Sequence, residues 1–148
     1  DSFIKTGKAK MVFKTLSFID SYDGNKDPNE SLGAALSGEC AKEQGKFWPM
    51  HDAILDEEFK ELEAKKQSEN NGNLSREFFV SKAKEIGLDV EKFSSCLDSK
   101  KYKSQIDSYM NDADAAMNGE ISTPSLYVNG VRISNPFDIK EFENAMNK

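Results

Sequence analysis

The sequence predicts an α/β fold in which a block of helices separates a buried strand from a β-hairpin. Residues 8–18 have a continuous apolar centre, which is typical of a strand that is buried on both faces. Residues 29–119 place apolar side chains at helical spacing. Asn129-Gly130 then separates two runs of strand-type residues, and Asn-Gly is the strongest short hairpin signal.

Local signals place the elements in chain order. Residues 1–7 are predicted to be the last turns of a helix that stops at Gly7, with Ile4 facing the core. Asn29 or Ser31 is expected to cap a helix that continues to residue 48, where Pro49 breaks it and opens the next. Ser75 is expected to cap a later helix, and Asn135 and Pro136 to start the last one. The remaining helical segments are predicted at residues 49–59, 74–89, 89–99, 100–119 and 136–148.

Composition limits the classes of function. The 148 residues are enough for one domain with a core, and 37% are apolar while 31% are charged. The net charge of −6 argues against a nucleic-acid partner. No apolar run approaches the ~18 residues of a membrane span, and no signal peptide is visible. The acidic run at residues 56–63 lacks the ligand spacing and turn glycine of a calcium loop, so we expect no metal or cofactor.

The chain has two cysteines, Cys40 and Cys96, which are far apart in sequence. Their spacing gives neither a CxxC redox motif nor a clustered zinc site. Two interpretations stay open from the residues alone. Both cysteines are buried thiols in a reducing compartment, or they form a disulfide in an oxidising one.

Four segments in order carry a resemblance to a known family. They are FIKTGKAKMVFKTLSF (3–18), GECAKEQGKFWPMHDAIL (38–55), IGLDVEKFSSCLDSKKY (86–102) and ISTPSLYVNGVRI (121–133). Together they resemble the DsbA-like thiol–disulfide oxidoreductases of the thioredoxin superfamily. The resemblance implies a thioredoxin-like mixed sheet with a helical insertion domain. Residues 1–28 and 100–148 would form the thioredoxin-like part and residues 29–99 the insertion.

The resemblance also implies a site and a function. Ser122, Thr123 and Pro124 would form the active-site loop, with a cis bond before Pro124, although many relatives have glycine where Ser122 stands. The backbone of Thr123 would pair with an extended, thiol-containing substrate by strand addition. Such an enzyme forms or exchanges disulfides in exported proteins outside the cytoplasm, with a redox partner protein and no cofactor.

The main departure from the family is the absence of its first strand and of CxxC, so no catalytic residue is expected in these 148 residues. We therefore expect no turnover from the chain alone, and we interpret it as a fragment of a longer enzyme that lacks an N-terminal segment. A strand-swapped or edge-paired dimer, or a sheet closed around the gap, would account for the missing strand equally. The alternative function is a non-catalytic thioredoxin-like module that binds peptides. A small all-helical interaction domain would leave the hairpin unexplained.

Three further expectations concern the helical insertion. A structural disulfide between Cys40 and Cys96 is favoured over two thiols, because both lie in matched segments on apolar helix faces. Closing so long a loop would contribute roughly 4 kcal/mol. His51, the only histidine, is expected to be structural or at the surface, because no nucleophile pairs with it. Phe47 and Trp48 are expected in the core.

Overall fold

The computed structural model describes residues 2–21, 29–64, 71–135 and 137–147. The chain divides into two compact units, Asp1–Asp112 and Ala113–Lys148. The helices are α1 Ser2–Lys5, α2 Glu30–Lys42, α3 Phe47–Glu63, α4 Arg76–Glu85, α5 Val90–Asp98, α6 Lys103–Met117 and α7 Ile139–Met146. The strands are β1 Leu126–Val128 and β2 Val131–Ile133, and a 3₁₀ turn spans Phe18–Ser21.

The core of the first unit lies where α2 packs against α3, α4 and α5. Phe79 of α4, Phe93 of α5, Met50 of α3 and Ile106 of α6 are almost completely buried. The helices approach closely at Gly33, where a Cβ atom would lie 3.0 Å from the Phe79 ring. The core consists of Ala35, Leu36, Cys40, Ala41, Met50, Leu74, Phe79, Ala83, Leu88, Phe93, Cys96, Leu97 and Ile106.

The start of α2 is held by a residue from the preceding 3₁₀ turn. Asn29 occupies the N-cap position, but its side chain makes no capping hydrogen bond. Instead the Asp20 carboxylate accepts hydrogen bonds from the N–H groups of Ser31 and Leu32, at 2.7 and 2.8 Å. A carboxylate at this end of a helix satisfies backbone donors that lack an intrahelical acceptor and complements the helix dipole. Capping by Asn29 or Ser31, as predicted, is therefore wrong, because a residue distant in sequence takes that role.

Glu30, the first residue of α2, joins this helix to the loop before α4. Its side chain is buried and accepts hydrogen bonds from the N–H groups of Leu74 at 2.8 Å and Gly72 at 3.4 Å. Ser75 then caps α4 by accepting from the N–H of Phe78 at 3.2 Å, as predicted. A buried carboxylate requires such donors, because leaving it unpaired would be strongly unfavourable.

The boundary between α2 and α3 lies earlier than the sequence suggested. The prediction of one helix reaching residue 48 is wrong, because α2 ends at Lys42 and Gly45 has a φ of +71°. Glycine adopts this left-handed conformation without the steric penalty of a Cβ atom and commonly ends helices. Pro49 lies in the first turn of α3, where its missing N–H would have no intrahelical acceptor.

Residues 9–17 contain no strand, so the strand predicted across residues 8–18 is wrong. Met11 and Val12 are 51% and 67% exposed, the opposite of burial on both faces. Side chains hold the segment instead, because Lys14 forms an ion pair with Asp112 at 2.6 Å and Phe13 packs against the rings at the start of α3. A strand requires a hydrogen-bonded neighbour, which the described residues do not supply here.

The second unit contains the predicted hairpin. β1 and β2 pair antiparallel, with Leu126 opposite Ile133 and Val128 opposite Val131. Asn129 and Gly130 both have positive φ, as their turn requires. The mixed sheet is not found in the described part of the chain, where the sheet has these two antiparallel strands.

Helix α7 packs against both strands of the hairpin. Its Glu141 carboxylate accepts from the N–H groups of Ser134 at 2.6 Å and Asn135 at 2.9 Å. These backbone donors hold the pKa of Glu141 below its usual value. Asp138 caps the helix, so the start predicted at Asn135 and Pro136 is too early, and Pro136 itself lies outside the described residues.

One small element at the N-terminus differs from expectation in its exposure. Helix α1 ends before Gly7, which has a φ of +72°, as predicted. Ile4 is 45% exposed, however, so its predicted place in the core is wrong. A single turn of helix offers too little surface to enclose a side chain of this size.

Candidate functional site

The predicted site residues lie on the loop between α6 and β1. Asn118 and Gly119 both have positive φ, which ends α6 and turns the chain. Ser122, Thr123 and Pro124 follow and are all exposed. The Thr123–Pro124 peptide bond is cis. We call residues 122–125 the proline loop.

Hydrogen bonds from three side chains hold the proline loop. The Met117 sulfur accepts from the Ser122 N–H at 3.3 Å and from the Ser125 hydroxyl at 3.6 Å. The Ser125 hydroxyl also lies 2.7 Å from the Ser122 carbonyl oxygen, to which it can donate. The Arg132 guanidinium on β2 donates to the Ser122 hydroxyl at 3.3 Å. The loop is therefore fixed on both sides of Thr123.

The sequence analysis missed Met117, Ser125 and Arg132. A signal for Ser125 was present, because serine residues on either side of a proline often close a turn through their hydroxyl groups. Nothing local pointed to Met117 or Arg132. Their contacts depend on the end of α6 and on the hairpin register.

The backbone of Thr123 is available for pairing. Among the described residues, neither its N–H nor its carbonyl makes a backbone hydrogen bond. The flanking Ser122 and Ser125 are both engaged. Chemically, the loop offers one donor and one acceptor from a fixed, exposed backbone, which an extended polypeptide can use.

The two cysteines lie in the first unit and form a disulfide. Cys40 on α2 and Cys96 on α5 are bonded, with their Cα atoms 5.9 Å apart, in agreement with the expected pairing. They are only 1% and 6% exposed. Because the chain has two cysteines and both are in this bridge, it holds no free thiol.

His51 is part of an aromatic cluster at the start of α3. Its ring lies 5.1 to 6.1 Å from the rings of Phe13, Phe47 and Trp48, and its Nδ1 atom is 3.1 Å from Asp52 Oδ1. Phe47 is half-buried, but Trp48 is 43% exposed, so its expected place in the core is wrong. Its indole lies at the surface because Met50, two positions further along α3, is the residue that faces the core.

Two other kinds of site are absent from the part of the chain that the structure describes. It holds no cluster of three or more histidine, cysteine or acidic residues that could bind a metal. None of the helices within the described ranges combines the length and the apolar character needed for a transmembrane span.

Comparison with known proteins assigns the family. A family model described as thioredoxin matches residues 1–148. The chain therefore belongs to the thioredoxin family. Its helices and its small two-stranded sheet form a thioredoxin-like domain of the broad α/β class.

Two similar curated proteins are named as Na(+)/H(+) antiporters. NhaA of Herminiimonas arsenicoxydans is 31% identical over 107 residues, which cover 72% of this chain and 15% of the antiporter. NhaA 3 of Salinispora tropica is 32% identical over 114 residues, which cover 76% of this chain and 15% of that protein. The chain thus spans a small part of these relatives. No solved structure gives a significant match.

Proposed function

We propose that this chain is the substrate-binding part of a DsbA-like thiol–disulfide oxidoreductase that acts on exported proteins. In this proposal the Thr123 backbone pairs with an extended, thiol-containing polypeptide, and Pro124 and Ser122 shape the loop beside it. Membership of the thioredoxin family supports the redox class. The buried Cys40–Cys96 disulfide supports a location outside the cytoplasm, because such bonds persist in oxidising compartments.

One observation carries the binding role. The proline loop is exposed and fixed, yet the Thr123 backbone has no backbone hydrogen-bond partner among the described residues. Main-chain pairing gives affinity with little demand on the sequence of the bound segment. A loop that is already held by Met117, Ser125 and Arg132 also loses little conformational freedom on binding.

The redox step requires groups that these 148 residues do not contain. Thiol–disulfide exchange begins when a thiolate attacks a disulfide sulfur and displaces the other sulfur as a thiolate, and a second thiol then resolves the mixed disulfide. Both cysteines of this chain are already paired and buried. We therefore assign the CxxC pair to a segment outside these residues. The antiporter relatives, in which the matched part is 15% of the protein, are consistent with a domain carried in a longer chain.

The second candidate is a non-catalytic thioredoxin-like module that binds peptides. The absence of a free thiol favours it for the chain as it stands. Both candidates predict peptide binding at the proline loop. They differ in whether covalent intermediates form.

Peptide binding can be tested by NMR titration with an extended peptide in which serine replaces cysteine. We expect the amide resonances of Ser122 and Thr123 to shift, and we expect N-methylation of the pairing residue of the peptide to abolish binding. The control variant T123A should bind like the wild type, because the contact is through the backbone. Loss of binding in T123A, or shifts confined to other residues, would contradict the proposal.

The redox role needs a separate test. We expect no turnover from this chain in an insulin reduction assay, and turnover that disappears in C40S would show that the active site is misplaced. In cells, the full-length gene product should be trapped in mixed disulfides with exported proteins. Peptide binding without such conjugates would favour the non-catalytic module.

A further inference from the structure

Helix α3 presents a continuous apolar stripe to solvent. Trp48, Leu55, Phe59 and Leu62 are 43%, 41%, 58% and 59% exposed. At 3.6 residues per turn, these four positions fall within about 60° of one another around the helix axis. We call them the α3 stripe. Exposed large apolar side chains are ordinary when scattered, but a contiguous set on one helix face marks an interaction surface.

The α3 stripe is not a displaced part of the core. The opposite side of the same helix already serves the core, where Met50 is fully buried and Ile54 packs against the buried cluster. The helix therefore has two apolar faces, of which one is used for folding. Phe13 extends the outer face at its N-terminal end, since its ring lies 5.5 Å from that of Trp48.

The charges beside the stripe select among occupants. The 17 residues of α3 carry six carboxylates and one lysine. Asp52, Asp56 and Glu63 lie along one edge of the stripe and are exposed. A second copy of this helix would bring like charges together, and an anionic membrane would be repelled. A cationic partner would be attracted.

We propose that the α3 stripe binds an amphipathic polypeptide segment whose apolar side chains are flanked by lysine or arginine. Its apolar residues pack on Trp48, Phe59 and Leu62, and its cations face the acidic edge. This is the helix-in-groove mode of recognition, in which apolar anchors provide the affinity and charges the selectivity. The proposal is independent of the proposed function, because it uses no residue of the proline loop.

Trp48 is the only tryptophan of the chain, so its fluorescence reports directly on the stripe. The probes are a synthetic amphipathic helix of leucine, alanine and lysine, and a matched peptide with glutamate in place of each lysine. We expect the lysine peptide to shift the Trp48 emission and to give a saturable isotherm by calorimetry. The glutamate peptide should bind at least tenfold more weakly. Raising the salt concentration from about 50 to about 300 mM should weaken the lysine peptide several-fold, because exposed charges are screened.

Two variants separate the stripe from general stickiness. The double variant F59S/L62S should lose at least tenfold in affinity for the lysine peptide while its circular dichroism stays unchanged. The control F137S alters a residue that is 94% exposed in the second unit and should bind like the wild type. Equal binding by F59S/L62S, or equal binding of both peptides, would overturn the proposal. A dimer that F59S/L62S abolishes would assign the stripe to a second copy instead, and binding to phosphatidylglycerol vesicles but not to the lysine peptide would assign it to a membrane.

Discussion

Breaking the Cys40–Cys96 bridge is expected to lower the free energy of unfolding by about 4 kcal/mol. The two cysteines are 56 residues apart in sequence. For a loop of this size the chain-entropy relation gives about −14 cal/mol/K, which is about 4 kcal/mol at 25 °C. Their Cα atoms are 5.9 Å apart, within the ordinary range for a disulfide, so no correction for a strained span is subtracted. For a chain of this length the loss corresponds to roughly 10–15 °C in Tm.

The assay is urea unfolding of the wild type and of C40A/C96A, each with and without reductant, followed by circular dichroism. The variant should have a lower midpoint and a larger m-value, because its denatured state is free to expand. The single variant C40A should lose about as much stability as the double variant, since either change removes the whole bridge. Reductant should destabilise the wild type and leave C40A/C96A unchanged, which controls for effects of the reagent itself.

Two outcomes would refute this reasoning. A loss below about 1 kcal/mol would show that the denatured chain is already as restricted without the bridge as with it. Two thiols reacting per chain in the denatured, non-reduced protein would show that Cys40 and Cys96 are not bonded.

Three further predictions concern side chains that join distant segments. The variant E30A should lose about 2 kcal/mol in the same urea assay, because a buried carboxylate that accepts two backbone N–H groups is removed; an equal loss in the exposed control E91A would contradict this. Replacing Asp20 by alanine should cost about 1 kcal/mol, since α2 loses its capping carboxylate, and an unchanged midpoint would show that another group caps the helix. The Tyr102 hydroxyl donates to the Glu43 carboxylate, which raises the pKa of Tyr102 to about 12. Its contribution to stability should therefore be complete below pH 10 and be lost as the pH rises through about 12. Tyrosinate absorbance, with Y102F identifying the signal, should show this titration move to lower pH in E43Q; no movement would refute the assignment.

Elements that depend on local signals were predictable from the sequence. The hairpin follows from Asn129-Gly130 between strand-type residues, and the start of α4 follows from the Ser75 cap. The disulfide could be anticipated because Cys40 and Cys96 lie on apolar helix faces within matched segments. In each case the residues that determine the structure are close in sequence or share a helical period.

Features that depend on partners distant in sequence could not be predicted. Residues 9–17 have strand-like composition, but a strand forms only where a neighbour supplies hydrogen bonds. The capping of α2 by Asp20 and the fixing of the proline loop by Arg132 both require segments whose approach no local pattern encodes. Hydrophobicity alone predicts a core position for Trp48, whereas its exposure depends on which face of α3 meets α2.

The exposure of the α3 stripe bears on both proposals through the stability of the first unit. Helices α2, α4 and α5 form a core that is joined covalently by Cys40–Cys96 and linked to the loop before α4 through Glu30. Among the described side chains of α3 only Met50 is fully buried in this core, so the apolar side chains on the outside of α3 contribute little to holding the unit together. Replacing Phe59 and Leu62 should therefore change binding without changing folding, while breaking the bridge should change folding first. If both perturbations instead lowered stability to the same extent, the stripe would have a structural role in the folded chain, and the argument for a basic amphipathic partner would fail.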